Sequence, residues 1–410
     1  MKARKLIILL MAFTVDAAAA QTQTSGWSFD KVERGRYLAV LGDCVACHTT
    51  PGGKPFAGGA ALETPFGALV GPNITPDLAT GIGAWSEEDF WRAMHEGVGK
   101  TGARLYPAMP YPAYTKVTRE DASALWAYLR TLEPVHNEVQ SNQLMFPFNV
   151  RRPATSTWDL INFKPGVFEP DPAKSDVWNR GAYLVEGLGH CGTCHTPKNI
   201  TGGDRGREAL QGALLQGWYA PDLTGDTRTG IGSWSKEDIV RYLKTGANSF
   251  DIASGPMAEA VENSTSYMTD ADLLAIATYL KDRGLRSVGT ATAIASDDPR
   301  MTAGKAIYED RCAACHISSG AGVPTLFPRL AHAPLIQSAD PTSLIRVVLI
   351  GSRAGATSSA PTAPAMPSFA WNLNDAEVAD VLTYIRNTWG NAASAVQPAD
   401  VTTLRGRLPH

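Results

Sequence analysis

The chain contains the stretch Cys44-Val45-Ala46-Cys47-His48, and the same Cys-x-x-Cys-His pattern returns twice further along. The three copies use all six cysteines of the 410-residue sequence and three of its eight histidines. In this motif two thiols bond covalently to a haem, and the adjoining histidine binds its iron. The sequence therefore predicts three covalently bound haem c groups, attached at Cys44 and Cys47, at Cys191 and Cys194, and at Cys312 and Cys315.

A single Cys-x-x-Cys pair can also be a redox dithiol, half of a zinc site or a disulfide. A redox dithiol does not require the histidine that follows all three pairs here. Paired zinc half-sites normally lie closer than these motifs, which begin at residues 44, 191 and 312 and so are 147 and 121 residues apart. The repeated histidine favours haem attachment, with His48, His195 and His316 as the proximal iron ligands.

Each motif is followed by a methionine that lies near a proline. Met109, Met257 and Met366 come 61, 62 and 50 residues after the histidine of their motif. A thioether ligand closes the second face of the haem and favours electron transfer, whereas an open face can bind a small molecule. We predict that these three methionines are iron ligands, with Met268 as the rival of Met257. Four other histidines do not repeat between the copies and are weaker candidates: His95, His136, His190 and His332.

The N-terminal sequence is typical of an export signal. Three basic residues precede the apolar run 6–13, and three alanines at 18–20 offer a cleavage site. The run is shorter than the ~20 residues of a spanning helix, so we predict a signal peptide over residues 1–20 and a periplasmic location. Its removal leaves 34 basic and 39 acidic residues, a net charge of 34 − 39 = −5, which gives no reason to expect nucleic acid as a partner.

The sequence around each motif follows one plan. A glycine and an aromatic residue precede the cysteines, and the methionine is followed by a helix-capping sequence and an amphipathic run with a tyrosine ten residues after the cap. These repeated positions are Gly35 and Tyr37, Gly181 and Tyr183, Gly304 and Tyr308, then the caps Thr118, Thr269 and Asn374, and the tyrosines Tyr128, Tyr279 and Tyr384.

This plan resembles the class I cytochromes c, in which the first and last helices cross through a glycine and an aromatic contact. The resemblance implies an all-α fold of three tandem class I cytochrome c domains, each a helical shell around one haem. We predict a signal peptide (1–20), domain 1 (27–135), a structured linker (136–175), domain 2 (176–286), a second linker (287–299), domain 3 (300–392) and a polar tail (393–410). The first linker is rich in aromatic residues, so we expect it to pack across the first two domains or against a partner.

The same resemblance implies a backbone carbonyl that holds each proximal histidine. A proline soon after the motif commonly supplies it in class I cytochromes, and Pro51 and Pro197 match this position in domains 1 and 2. Domain 3 offers Pro324 or Pro328. Two tryptophans, Trp85 and Trp234, are candidates either for bonding to haem propionates or for core packing.

The chain as a whole resembles the three-haem cytochrome subunit of bacterial membrane-associated dehydrogenases. The resemblance rests on the three motifs, residues 178–184, two Thr-Gly-Ile-Gly-x-Trp-Ser segments and residues 264–273. It implies a catalytic dehydrogenase subunit as partner, carrying flavin, pyrroloquinoline quinone (PQQ) or molybdenum, and ubiquinone or a terminal acceptor as the destination of the electrons. Membrane association would then be peripheral, through the complex at the periplasmic face of the inner membrane.

Two other classes of function remain open from the sequence. A haem enzyme of the peroxidase or thiosulfate-oxidising type would need an axial ligand that can be displaced. A free electron shuttle to a terminal oxidase would work without a dehydrogenase partner. Because the sequence shows neither a dinucleotide fingerprint nor a nucleophile constellation, we expect no catalytic residues for an organic substrate on this chain.

Overall fold

A computed structural model of the chain describes residues 26–284, 289 and 291–408. The predicted signal peptide lies outside the described residues, as do three residues of the predicted second linker, 287, 288 and 290.

The first domain is built on a pair of crossing helices. Its elements in chain order are α1 (Phe29–Leu41), α2 (Cys44–His48), β1 (Ala61–Thr64), β2 (Gly67–Val70), α3 (Glu87–Glu96), α4 (Tyr111–Tyr114) and α5 (Arg119–Leu129). Thr118 caps α5, since its hydroxyl accepts a hydrogen bond from the Asp121 amide. α1 and α5 touch at Gly35, where a methyl group would overlap the carbonyl oxygen of Ala124. The predicted glycine contact is therefore confirmed.

The first linker contains β3 (Gln143–Leu144) and α6 (Arg151–Asn162). β3 pairs with β2 of the first domain. The buried Asp159 of α6 accepts hydrogen bonds from Arg104 and Tyr111, also of the first domain. On the other side, the Trp158 indole donates to the carbonyl of Thr201 in the second domain, at 2.9 Å. The linker thus packs across both domains, which was one of the two predicted alternatives.

The second domain repeats the plan of the first. Its elements are α7 (Asp176–Glu186), α8 (Gly192–His195), β4 (Gln211–Leu215), β5 (Trp218–Asp222), α9 (Lys236–Thr245), α10 (Pro256–Asn263) and α11 (Asp270–Lys281), with 3-10 turns at Gly206–Glu208 and Thr265–Tyr267. α7 and α11 touch at Gly181, where a methyl group would overlap the carbonyl oxygen of Ala275.

The third domain has the same framework and its own hydrophobic core. Its elements are α12 (Pro299–Arg311), α13 (Ala313–His316), α14 (Pro334–Gln337), α15 (Thr342–Ile350), β6 (Ser352–Arg353), β7 (Ala365–Met366), α16 (Asp375–Arg386) and α17 (Pro398–Arg405). Gly304 meets the carbonyl of Asp380 as in the other domains. The tail, predicted only as a polar segment, contains α17, whose fully buried Val401 belongs to this core.

The all-α prediction is correct for the framework and wrong in one respect, because the described residues also form three small antiparallel sheets. Their strands are only two to five residues long. Such strands are too short to show the alternation of apolar and polar residues that identifies a strand in a sequence.

The first two domains share one core and exchange equivalent hydrogen bonds. The Tyr37 hydroxyl of domain 1 donates to the Asp272 carboxylate of domain 2, at 2.7 Å. Conversely, the Tyr183 hydroxyl of domain 2 donates to the Asp121 carboxylate of domain 1, at 2.6 Å. Each aspartate is the third residue of its domain's closing helix, α5 or α11. These reciprocal contacts relate the two domains by a pseudo-twofold arrangement.

The third domain docks onto the second through β5. The Ser343 hydroxyl accepts from the Tyr219 amide at 2.7 Å and donates to the Tyr219 carbonyl at 3.1 Å. Arg228 adds a bond of 2.9 Å to the carbonyl of Ala392. Within the part of the chain that the structure describes, no helix has the length and apolar character needed to cross a membrane.

Candidate haem sites

The cysteines of the three motifs are free thiols in and beside short helices. Burial raises the pKa of Cys44 and Cys191 to about 12 and that of Cys312 to about 11. A redox-active dithiol depends instead on a lowered pKa, which supplies the reactive thiolate. The environment of these thiols therefore argues against the dithiol alternative and fits cysteines that serve as attachment points.

The three motif histidines are each held by a backbone carbonyl. The distances from Nδ1 to the carbonyl oxygen are 2.7 Å for His48 and Pro72, 2.7 Å for His195 and Pro221, and 2.9 Å for His316 and Pro328. Burial lowers the pKa of all three imidazoles, so they are neutral near pH 7. A carbonyl can only accept, so the single ring proton lies on Nδ1 and the Nε2 lone pair is left for a metal.

Two of the prolines predicted to supply the accepting carbonyl are wrong. Pro51 and Pro197 follow their histidines by three and two residues, but the carbonyls that hold His48 and His195 come from 24 and 26 residues downstream. In both domains a β-hairpin reverses the chain, so that the proline at or just after its second strand lies beside the imidazole. A repeated Pro-[Asn/Asp]-aliphatic-Thr sequence at residues 72–75 and 221–224 was the signal that could have identified them. In domain 3, Pro328 is one of the two predicted residues.

The predicted methionine ligands lie in comparable surroundings. Met109 and Met366 are partly buried against the cores of domains 1 and 3. Met257 lies in the first turn of α10, partly buried against a small apolar cluster. Its rival Met268 is only 3% exposed and forms part of the core shared by domains 1 and 2. This placement favours Met257 as the ligand, and ligation by all three methionines stays a prediction.

Two of the rival histidines have other partners. Nδ1 of His95 lies 2.9 Å from the Thr115 carbonyl oxygen, and its ring stacks on Trp91 at 4.5 Å. Nδ1 of His190 lies 2.9 Å from the Leu188 carbonyl oxygen.

Some buried polar atoms of domain 2 lack a partner among the described residues. They include the indole Nε1 of Trp234 and the hydroxyl of Thr224. The two residues are linked through Ile231, whose amide donates to the Thr224 carbonyl and whose own carbonyl accepts from the Trp234 amide. Because buried donors are normally satisfied, these atoms fit a haem propionate, which would accept their hydrogen bonds. The residues present therefore suit the group that the motifs predict.

The first two attachment sites lie close together across the domain interface. Burial, the acidic groups of Asp43 and Glu259, and the thiol of Cys194 together raise the pKa of Cys47 to about 11. Glu259 and Cys194 belong to domain 2, whereas Asp43 and Cys47 belong to domain 1. The two motifs therefore lie near each other at the interface between the first two domains.

Comparison with known proteins agrees with this geometry. Residues 32–133, 179–283 and 301–389 each match the cytochrome c family, one stretch around each motif. The chain belongs to the cytochrome c family. Covalently bound haem c is the cofactor of this family, so the attachment chemistry predicted from the cysteines agrees with the family.

Several relatives match almost the whole chain. The gluconate 2-dehydrogenase cytochrome c subunit of Pantoea cypripedii is 42% identical, over 98% of this chain and 95% of the relative. The cytochrome c subunit of the quinone alcohol dehydrogenase of Gluconobacter oxydans is 39% identical, over 97% of this chain and 86% of the relative. The fructose dehydrogenase cytochrome subunit of Gluconobacter japonicus is 36% identical, over 97% and 87%. The predicted resemblance to dehydrogenase cytochrome subunits is confirmed.

Proposed function

We propose that this chain is a periplasmic three-haem subunit that relays electrons from a catalytic dehydrogenase to membrane ubiquinone or another terminal acceptor. The observation that carries the proposal is the threefold recurrence, on one chain, of a Cys-x-x-Cys-His motif whose histidine Nδ1 is held by a backbone carbonyl. One such site makes a carrier, and three on one chain make a relay.

The residues of each site have separate tasks in this function. The two thiols hold the haem, and the carbonyl fixes the tautomer and orientation of the neutral histidine. The methionine would supply the second iron ligand, which would exclude small ligands and favour electron transfer. When bound, the haem supplies a one-electron couple between ferrous and ferric iron. No proton needs to move at the histidine, because burial already keeps it neutral.

The partner follows from the relatives, which are named as cytochrome subunits of gluconate, alcohol and fructose dehydrogenases. We infer that electrons enter this chain from a flavin, PQQ or molybdenum cofactor on another subunit. The substrate is oxidised there and not at the haems. Export through the predicted signal peptide would place the complex at the periplasmic face of the inner membrane.

Isolation of the chain from its own host tests the assignment. The full-length protein, tagged at its C-terminus, should co-purify from the membrane fraction with a dehydrogenase subunit in fixed ratio. A tagged single-domain periplasmic cytochrome from the same cells serves as the control. Recovery of the chain alone from the soluble periplasmic fraction would favour the free-shuttle alternative, and recovery from the cytoplasm would contradict export.

A further inference from the structure

The interface between the second and third domains contains a stack of three planar groups. The rings of Trp234 and Phe250, both of domain 2, lie 5.6 Å apart between centroids with an interplanar angle of 20°. The guanidinium of Arg329, from domain 3, lies 5.4 Å from the centroid of Phe250. A guanidinium packs well on an aromatic face because it is planar, delocalised and weakly hydrated. The stack therefore crosses the domain boundary without a gap.

Each end of the stack is tied to a haem site. Trp234 is 7% exposed, and its Nε1 is one of the buried donors that fit a propionate of the second haem. Arg329 directly follows Pro328, whose carbonyl oxygen lies 2.9 Å from Nδ1 of His316. The path thus runs from a side chain that would bind a propionate of the second haem to the residue next to the carbonyl that holds His316.

Comparison with the first domain shows that the stack is not a requirement of the domain fold. Trp234 matches Trp85 of domain 1, and the turn that holds Phe250, between Ala247 and Ile252, matches the turn between Val98 and Arg104. That turn of domain 1, residues 99–103, is one residue longer and contains no aromatic side chain. The aromatic residue therefore occurs in the domain whose turn is contacted by a side chain of the third domain.

We propose that Trp234, Phe250 and Arg329 form the path by which electrons pass between the second and third haems. In each transfer one electron leaves a ferrous iron, which becomes ferric, and reduces the ferric iron of the other domain. No bond forms or breaks and no proton moves. The path begins with the two packed rings and the guanidinium. It continues through the covalent link from Arg329 to Pro328 and the hydrogen bond from His316 to the Pro328 carbonyl.

A second contact at the same interface supplies a matched control. The guanidinium of Arg346, in α15, lies 4.8 Å from the ring centroid of Trp218 in β5. Trp218→Leu, like Phe250→Thr, replaces an aromatic residue of domain 2 by a smaller residue without a ring. Both changes remove an aromatic ring from the interface, but only Phe250→Thr interrupts the proposed path.

The test uses the full-length three-haem protein without any dehydrogenase. Pulse radiolysis injects less than one electron per molecule, and haem absorbance follows its redistribution among the haems. We expect Phe250→Thr to abolish the fast phase of electron redistribution in which the third haem gains or loses the electron. Phe250→Trp and Trp218→Leu should retain this phase. Redox potentials and haem content, measured on the same samples, show whether the driving force has changed.

Two results would overturn the proposal. One is a fast phase that survives in Phe250→Thr with three haems and unchanged potentials, and the other is its loss in Trp218→Leu alone. If Phe250→Thr loses haem, Arg329→Gln decides the question because it leaves both rings in place. A rate unaltered in that variant, after correction for its potentials, also contradicts the path. None of these outcomes depends on which enzyme supplies the electrons.

Discussion

At the residue scale, Met257 and Met268 differ in surroundings although they are only 11 residues apart. Met257 is partly exposed in the first turn of α10, whereas Met268 is buried in the core of the first two domains. A flexible thioether is well suited to either task, ligand or core filler, so the sequence alone left both open. Their surroundings favour Met257 as the ligand and Met268 as the core filler, and each role has its own experimental signature.

Met257→Ala should remove the weak sulfur-to-iron charge-transfer absorption of one haem and lower its potential, with a small effect on stability. Met268→Ala should leave that absorption intact and lower the free energy of unfolding by ~2–5 kcal/mol, since it creates a cavity in a packed core. Absorption spectra and denaturant unfolding of both variants check this. The reverse pattern of spectra would make Met268 the ligand. Met109→Ala and Met366→Ala should each remove the charge-transfer absorption that one haem contributes.

The residues fixed by covalent chemistry were predictable, because Cys-x-x-Cys-His needs no tertiary contact to be recognised. The carbonyls of Pro72 and Pro221 were missed, since they reach the histidines only after a hairpin has reversed the chain, although a repeated sequence marks both positions. Phe250 and Arg329 were missed for a related reason. Their contact joins two domains, and nothing in the local sequence of either domain indicates the other.

At the element scale, the three helix crossings depend on close backbone approach. Gly304 of α12 leaves no room for a methyl group against the Asp380 carbonyl and the Tyr384 side chain of α16. Gly304→Ala should therefore force the helices apart and destabilise domain 3 by ~1–3 kcal/mol, more than the gain in helix propensity. Chemical unfolding followed at the haem absorbance measures the change. Gly166→Ala, at a site with open space, is the control and should have little effect.

The sequence predicted the closing helices well because their caps are local signals. Thr118, Thr269 and Asn374 each accept a hydrogen bond from the amide three residues on, as expected. The last helix, α17, was missed because it is only eight residues long and only two of its residues, Val401 and Leu404, pack on the core of domain 3. Two apolar positions in a polar stretch are a weak periodic pattern, and the folded core shows why this segment becomes helical.

At the scale of the whole molecule, domains 1 and 2 form one unit held by the paired bonds of Tyr37 with Asp272 and Tyr183 with Asp121. Burial alone would raise the pKa of Asp272, but hydrogen bonds from Arg180 and Tyr37 outweigh it and hold this pKa below its usual range. A carboxyl with a lowered pKa in the folded state stabilises the fold above its unfolded pKa, about 4. This contribution is lost as the pH falls through the lower, folded pKa.

Asp272→Asn should therefore destabilise the first two domains at pH 7 and make much less difference in strong acid, below the folded pKa. Denaturant unfolding of the wild type and of Asp272→Asn, from pH 7 down to strong acid, measures whether their free energies of unfolding converge. Asp270→Asn, at an exposed position of the same helix, controls for the general loss of a carboxylate. If the difference in free energy of unfolding between the wild type and Asp272→Asn does not depend on pH, the stabilising role of the ionised Asp272 carboxylate is contradicted.

Three attachment sites predict three haems on every mature molecule. The intact mass should exceed that of the processed polypeptide by three haem groups, which should resist acid-acetone extraction. Replacing both cysteines of one motif should lower the count to two. A wild-type protein with fewer than three covalently held haems would show that one motif has another purpose.

The central claim is that the chain carries electrons for a dehydrogenase and does not oxidise the organic substrate itself. Stopped-flow spectroscopy of haem reduction tests this with alcohols, aldehydes, sugars and sugar acids, first on the isolated cytochrome and then with the co-purifying catalytic subunit added. We predict no haem reduction by any substrate until the catalytic subunit is present, and reduction of all three haems once it is. Rapid haem reduction by a substrate in the cytochrome alone would contradict the account.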